Sequence, residues 1–112
     1  MKTATDVQQS QLLAEILPLE SADMYYTLID QGLYLEVKQG LKPSKDDIPC
    51  WSLAALLDVL QRIDIEKEIC SDDTYDYRVK AYIGDGYIGD WYNDPIDACY
   101  EMILKLHDLN LL

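Results

Sequence analysis

The chain has 112 residues, 49% apolar and 27% charged, which is the size and balance of one ordinary globular domain able to bury about two-thirds of its unfolded surface. Its 21 Asp and Glu against 9 Lys and Arg give a formal charge of -12, a field that repels phosphate backbones and anionic lipid, so direct nucleic-acid or membrane binding is not expected. The first residues contain no apolar signal core, and no run approaches the roughly 18 apolar residues of a spanning helix, so a cytoplasmic protein is expected.

Residues 5–17 predict the first helix: Thr5 and Gln8 have capping-box spacing, Leu12, Leu13, Ile16 and Leu17 make one apolar stripe, and Pro18 stops it. From 24 to 38 the pattern predicts a hairpin around Asp30-Gln31-Gly32, with Leu33, Leu35 and Val37 alternating against Tyr34, Glu36 and Lys38. Its first arm, 24–29, also fits a helix. Residues 39–49, with Gly40, Pro43 and Pro49, read as the longest loop.

Trp51 followed by Ser52 predicts a stapled and capped helix start, and Leu53, Leu56, Leu57 and Leu60 its buried stripe. After Arg62 a period of two predicts a strand with Ile63, Ile65 and Ile69 on one side. A turn at 71–74 leads to a strand in which Tyr75, Tyr77, Val79, Ala81 and Ile83 alternate against Asp76, Arg78, Lys80 and Tyr82. Gly84-Asp85-Gly86 then turns the chain into a strand over 87–92. Asp94 as cap and Pro95 at the first helical position open the last helix, whose stripe is Ile96, Cys99, Tyr100, Ile103 and Leu106 or His107. The expected fold is α+β, a single domain over 1–112: one antiparallel sheet of about five strands with three helices, in the order α-β-β-α-β-β-β-α.

Three cysteines, Cys50, Cys70 and Cys99, cannot all pair internally, and none lies in a CxxC, so packed thiols fit better than a disulfide frame or a zinc site. Cys50, at the predicted start of the central helix, is the one candidate nucleophile, because a helix N-terminus lowers a thiol pKa. The single histidine, His107, offers it no motif spacing as a base and reads as a half-buried helical residue. Asp72, Thr74 and Asp76 imitate the start of a calcium loop, but Tyr77 stands where Gly is needed and Ile83 where Glu is needed; these acids, like Asp85 and Asp90, read as solvated turn residues. Gly84, Gly86 and Gly89 lack the context of a phosphate loop and read as turn and bulge glycines. No catalytic residue, cofactor site or metal site is assigned.

Nine tyrosines, two tryptophans and no phenylalanine make an unusual aromatic set. Strand preference alone accounts for Tyr75, Tyr77, Tyr82, Tyr87 and Tyr92; the alternative is a tyrosine-lined contact face, which among so many acids would prefer a basic protein partner. The reading adopted is a non-enzymatic interaction module. The alternatives are an acidic nucleic-acid mimic that occupies the basic cleft of a DNA-acting protein, and an enzyme of unrecognised type using Cys50.

The segments Ser21-Ala22-Asp23-Met24-Tyr25-Tyr26, Ile48-Pro49-Cys50-Trp51-Ser52-Leu53-Ala54-Ala55-Leu56-Leu57 and the run 93–107, opening Asn93-Asp94-Pro95-Ile96, resemble small uncharacterised proteins of gut Bacteroides and their prophage-like or mobile elements. The resemblance implies an accessory intracellular protein of a mobile element and carries no activity or functional residue. In that pattern a Pro often ends the central helix; here Gln61 stands in its place, which predicts a longer helix.

Overall fold

The computed structural model describes residues 1–29, 32–37, 45–74 and 76–112. The architecture is α+β, with three α-helices and two three-stranded antiparallel sheets. The chain falls into two units, Thr3–Ala55, and Leu56–Leu112 with Met1–Lys2.

The first unit contains α1 (Val7–Ile16), a 3-10 turn (Leu19–Ser21), β1 (Met24–Ile29), β2 (Gly32–Val37), β3 (Ile48–Cys50) and the start of α2 (Leu53–Arg62). The capping box of α1 lies one residue later than Thr5/Gln8: Asp6 accepts from the Gln9 amide at 2.8 Å and the Gln9 side chain accepts from the Asp6 amide at 3.1 Å. Thr5 is instead buried, and a buried hydroxyl needs partners. Its amide donates to the Trp51 carbonyl at 2.9 Å, while its Oγ1 accepts from the Trp51 amide at 3.1 Å and lies 2.7 Å from Ser10 Oγ. Of the predicted stripe, Leu13 and Leu17 are buried but Leu12 is exposed.

Residues 24–29 are strand, and β1 sits in the middle of the sheet, in the order β2-β1-β3. The predicted turn residues Asp30 and Gln31, the last hairpin residue, Lys38, and residues 39–44 of the predicted loop lie outside the described residues. The end of that loop differs from expectation, since 48–50 pairs with β1 as a sixth strand. Pro49 has no amide hydrogen to donate, which a strand at the sheet edge tolerates. Cys50 therefore closes a strand, two residues short of the helix, and packs with Ala4 and Met24 beside Tyr26 and Leu35. Trp51 is fully buried, and its indole N–H donates to Ser21 Oγ at 2.9 Å. Ser52 caps α2 as expected, accepting from the Ala55 amide at 3.3 Å, and is itself held by Asp23, which accepts from both its amide and its hydroxyl. The helix runs through Gln61 to Arg62.

The second unit contains the rest of α2, β4 (Lys67–Ser71), β5 (Tyr77–Ile83), β6 (Gly86–Ile88) and α3 (Pro95–Asp108). β4 begins later than the isoleucine periodicity predicts. Residues 63–65 bend instead, tied by the Lys67 ammonium to the carbonyls of Ile63 and Ile65. Ile69 pairs with buried Val79, yet it is 53% exposed, because it lies on an edge strand while α3 covers the central one. The expectation of one five-stranded sheet is thus corrected to two sheets of three, with the predicted element order kept and β3 added.

Gly84, at φ +60°, occupies the first central position of the β5–β6 hairpin, the pattern of a type II′ turn. The strand predicted over 87–92 is interrupted at Gly89, where φ is +138° and an added Cβ would lie 2.0 Å from the Val79 carbonyl oxygen. Pairing resumes at Tyr92, which exchanges two backbone hydrogen bonds with Tyr77. The α3 cap is as predicted: Asp94 accepts from the Ile96 amide at 2.8 Å, and its other oxygen accepts from the Lys2 amide at 2.7 Å. The buried stripe takes Leu106, leaving His107 exposed. A Schellman motif ends the helix, with Asn110 at φ +58° and the amides of Asn110 and Leu111 donating to the carbonyls of His107 and Leu106.

Candidate functional site

The alternation of β5 divides its side chains between two faces of the second sheet. Val79 and Ala81 turn to the buried side, and Arg78, Lys80 and Tyr82 to the outer side. Cross-strand register sets Cys70 opposite Arg78, Glu68 opposite Lys80 and Tyr87 opposite Tyr82, so all six share the outer face. Past Gly89, Trp91 joins them, with the Arg78 guanidinium 4.5 Å from its ring centroid.

This face is a connected aromatic and cationic cluster. The Arg78 guanidinium lies 5.6 Å from the Tyr87 ring centroid, and its Nη1 donates to the Tyr87 hydroxyl at 3.3 Å. Lys80 Nζ stands 4.7 Å from the same ring, and the Tyr82 and Tyr87 rings meet at 6.0 Å, tilted by 59°. Each such cation contact contributes about 0.5–1 kcal/mol at an exposed site, enough to bias the rings toward this arrangement. Tyr82 donates its hydroxyl to Glu68 at 2.6 Å. That bond pushes the Tyr82 phenol up to about 12 and holds the Glu68 carboxyl below its ordinary value. Even so, Tyr82, Tyr87 and Trp91 stay 37%, 49% and 40% exposed.

Of the five tyrosines considered from sequence, Tyr82 and Tyr87 converge here. Tyr77 points to the opposite side of β5, Tyr92 is half-buried beside it in the backbone ladder, and Tyr75 lies outside the described residues. Arg78, Lys80 and Trp91 are the members that sequence reasoning left out of the face. The period of two already set Arg78 and Lys80 beside Tyr82; nothing local marked Trp91, which Gly89 re-aims.

Cys50 lacks the environment of a nucleophile. It is buried at the end of β3, and desolvation, aided by the Asp23 charge, pushes its thiol up to about 12. Cys99 is buried in α3 and likewise raised to about 12 by desolvation, whereas Cys70 is half-exposed on the outer sheet face. His107 is exposed instead of half-buried.

In the turn after β4, Asp72 Oδ1 accepts from the Thr74 amide, the Thr74 hydroxyl and the Asp76 amide, which lowers its pKa and turns the carboxylate onto its own backbone. Asp85 is an exposed turn residue, and Asp90 is paired with Lys105 at 2.7 Å. Among the described residues no group of three or more His, Cys, Asp or Glu is placed to hold a metal ion, and no helix is long and apolar enough to cross a membrane. No family model matches the chain, and neither curated proteins nor solved structures include a significant match.

Proposed function

We propose that the chain is a non-enzymatic protein-interaction module whose contact surface for a basic protein partner is the outer face of the β4-β5-β6 sheet. The observation that carries this reading is the convergence of exposed aromatics on one face, Tyr87 and Trp91 against Arg78 and Tyr82 against Tyr87. Aromatic side chains and arginine are the residues that dominate contact energetics, and rings already biased toward one arrangement lose less freedom on binding. The charges of Arg78 and Lys80 act on rings and on Glu68 of their own sheet, while the second unit carries thirteen acids against six Lys and Arg. The net field therefore favours a basic partner. The resemblance to mobile-element proteins supports an accessory role in such an element, in the cytoplasm.

The test is affinity capture from host lysate at about 50 and about 300 mM salt, a range that shortens the screening length by a little more than about twofold, with the wild-type chain and a Tyr87→Ala/Trp91→Ala variant. A partner held at both salt levels by the wild type and lost by the folded variant is expected. Equal capture by both proteins overturns the assignment of the face. Capture confined to low salt and indifferent to the variant favours an acidic mimic instead.

A further inference from the structure

A groove of about 490 Å³ lies in the second unit between residues 87–90 and the last turn of α3. Tyr87, Ile88 and Leu109 supply its apolar walls, and Asp90, Lys105 and Asp108 its polar lining. Its shape is fixed at both sides, since Gly89 is locked against the Val79 carbonyl and the Schellman motif sets the position of Leu109. The Lys105 ammonium is already bound to Asp90 at 2.7 Å, whereas Asp108 makes no hydrogen bond or ion pair among the described residues. An apolar channel with a free carboxylate matches a long aliphatic stem with a cationic end, the construction of lysine and arginine. The negative end of the α3 dipole adds to the same preference. Tyr87 belongs to both the groove and the aromatic face.

We infer that this groove receives a lysine or arginine side chain of the basic partner that covers the aromatic face, an inference that rests on the contact-surface reading above. The test uses the isotope-labelled full chain, titrated in NMR with acetyl-Gly-Arg-Gly amide and with the same peptide carrying norleucine for arginine. Saturable shifts are expected at the amides of Gly89, Asp90 and Leu109 with the arginine peptide alone. Asp108→Asn should weaken binding about threefold to tenfold, and Asp108→Glu should keep it. Asp73→Asn, which removes the same charge from an exposed turn, should change it less than about twofold.

Equal weakening by Asp73→Asn, equal binding of the norleucine peptide, or shifts that miss the groove amides overturns the inference. Shifts confined to the Trp91 indole and Lys80 remove the groove but leave the contact face standing. Conversely, lysate capture that ignores Tyr87→Ala/Trp91→Ala removes the contact face whatever the peptides do. If Asp108→Asn lowers the melting temperature, Asp108→Glu against Asp73→Asn decides: binding lost with the glutamate, or weakened as much by Asp73→Asn, refutes the carboxylate's role.

Discussion

Truncating Trp51 to alanine removes the largest fully buried side chain of the fold, and its cost can be worked from its surroundings. The backbone on either side stays tied, because the Thr5–Trp51 hydrogen bonds use main-chain atoms and the Thr5 hydroxyl, so the loss is confined to the ring. Burial and cavity terms for Trp→Ala amount to about 3–5 kcal/mol. The lost indole bond adds little, since its acceptor Ser21 is half-exposed and water can replace the donor. Against a total stability of about 5–15 kcal/mol this is a large fraction. With a urea dependence of about 1.5 kcal/mol per molar, the unfolding midpoint followed by far-UV circular dichroism should fall by about 2–3 M. Trp51→Phe, which refills most of the volume, should recover more than half of that loss. An unchanged midpoint in Trp51→Ala refutes the reasoning, because a side chain whose removal costs nothing is not packed.

Gly89→Ala should cost about 3 kcal/mol or more and lower the melting temperature by more than about 10 °C, because its φ of +138° strains any other residue and the Cβ strikes the Val79 carbonyl; a shift of only a few degrees refutes the locked geometry. Thiol labelling of the native protein at neutral pH, counted by mass spectrometry, should modify Cys70 first and reach Cys50 and Cys99 only on unfolding, since burial holds both thiols up to about 12; rapid labelling of Cys50 restores it as a nucleophile. The Tyr82 phenol is raised, so the stability its bond to Glu68 contributes is complete below the ordinary tyrosine value of 10.0 and is lost as pH rises through about 12. Glu68 is lowered, so on the acid side the same bond is lost only as pH falls through a value under the ordinary 4.5. In an ultraviolet titration Tyr82→Phe should delete a phenol from the alkaline end of the curve; deletion of one near 10 contradicts the bond.

Local chemistry made the ends of elements readable. Ser52, Asp94, Pro95 and Pro18 act through hydrogen bonds or missing amides within a few residues, and each does in the structure what its spacing implies. The misses arise where a distant partner outbids a neighbour. Thr5 has the spacing of a cap, but Trp51, far along the chain, engages its hydroxyl and the cap passes to Asp6. Residues 48–50 look like loop because Pro49 cannot donate; only the presence of an open edge beside β1 makes them strand. Ile69 has the period of a core residue, and what exposes it is the placement of α3 over β5, which no periodicity encodes. The candidate face was half legible for the same reason: alternation along β5 put Arg78 and Lys80 on the same side as Tyr82 without marking them as members of the face, whereas Trp91 depends on a glycine that turns the chain after β6.

Two basic residues at the centre of the proposed contact surface of so acidic a chain have a consistent physical role. A ring quadrupole attracts a cation most strongly where water is partly excluded, and Arg78 meets that condition, its Nε buried beneath Trp91 and Tyr87 without a hydrogen-bond partner among the described residues. The guanidinium is therefore a fixture of the platform and not a free charge offered to a partner. The acids around it act at longer range: Glu66, Glu68, Asp85 and Asp90 are all exposed and belong to the same sheet or the segments that leave it. Short-range ring contacts govern how long a partner stays, and long-range carboxylate charge governs how often it arrives. On the proposed reading, a surface divided in this way should bind basic partners quickly at low salt and release them at a rate set by Tyr87 and Trp91, which separates it from a mimic whose binding is carried by charge alone.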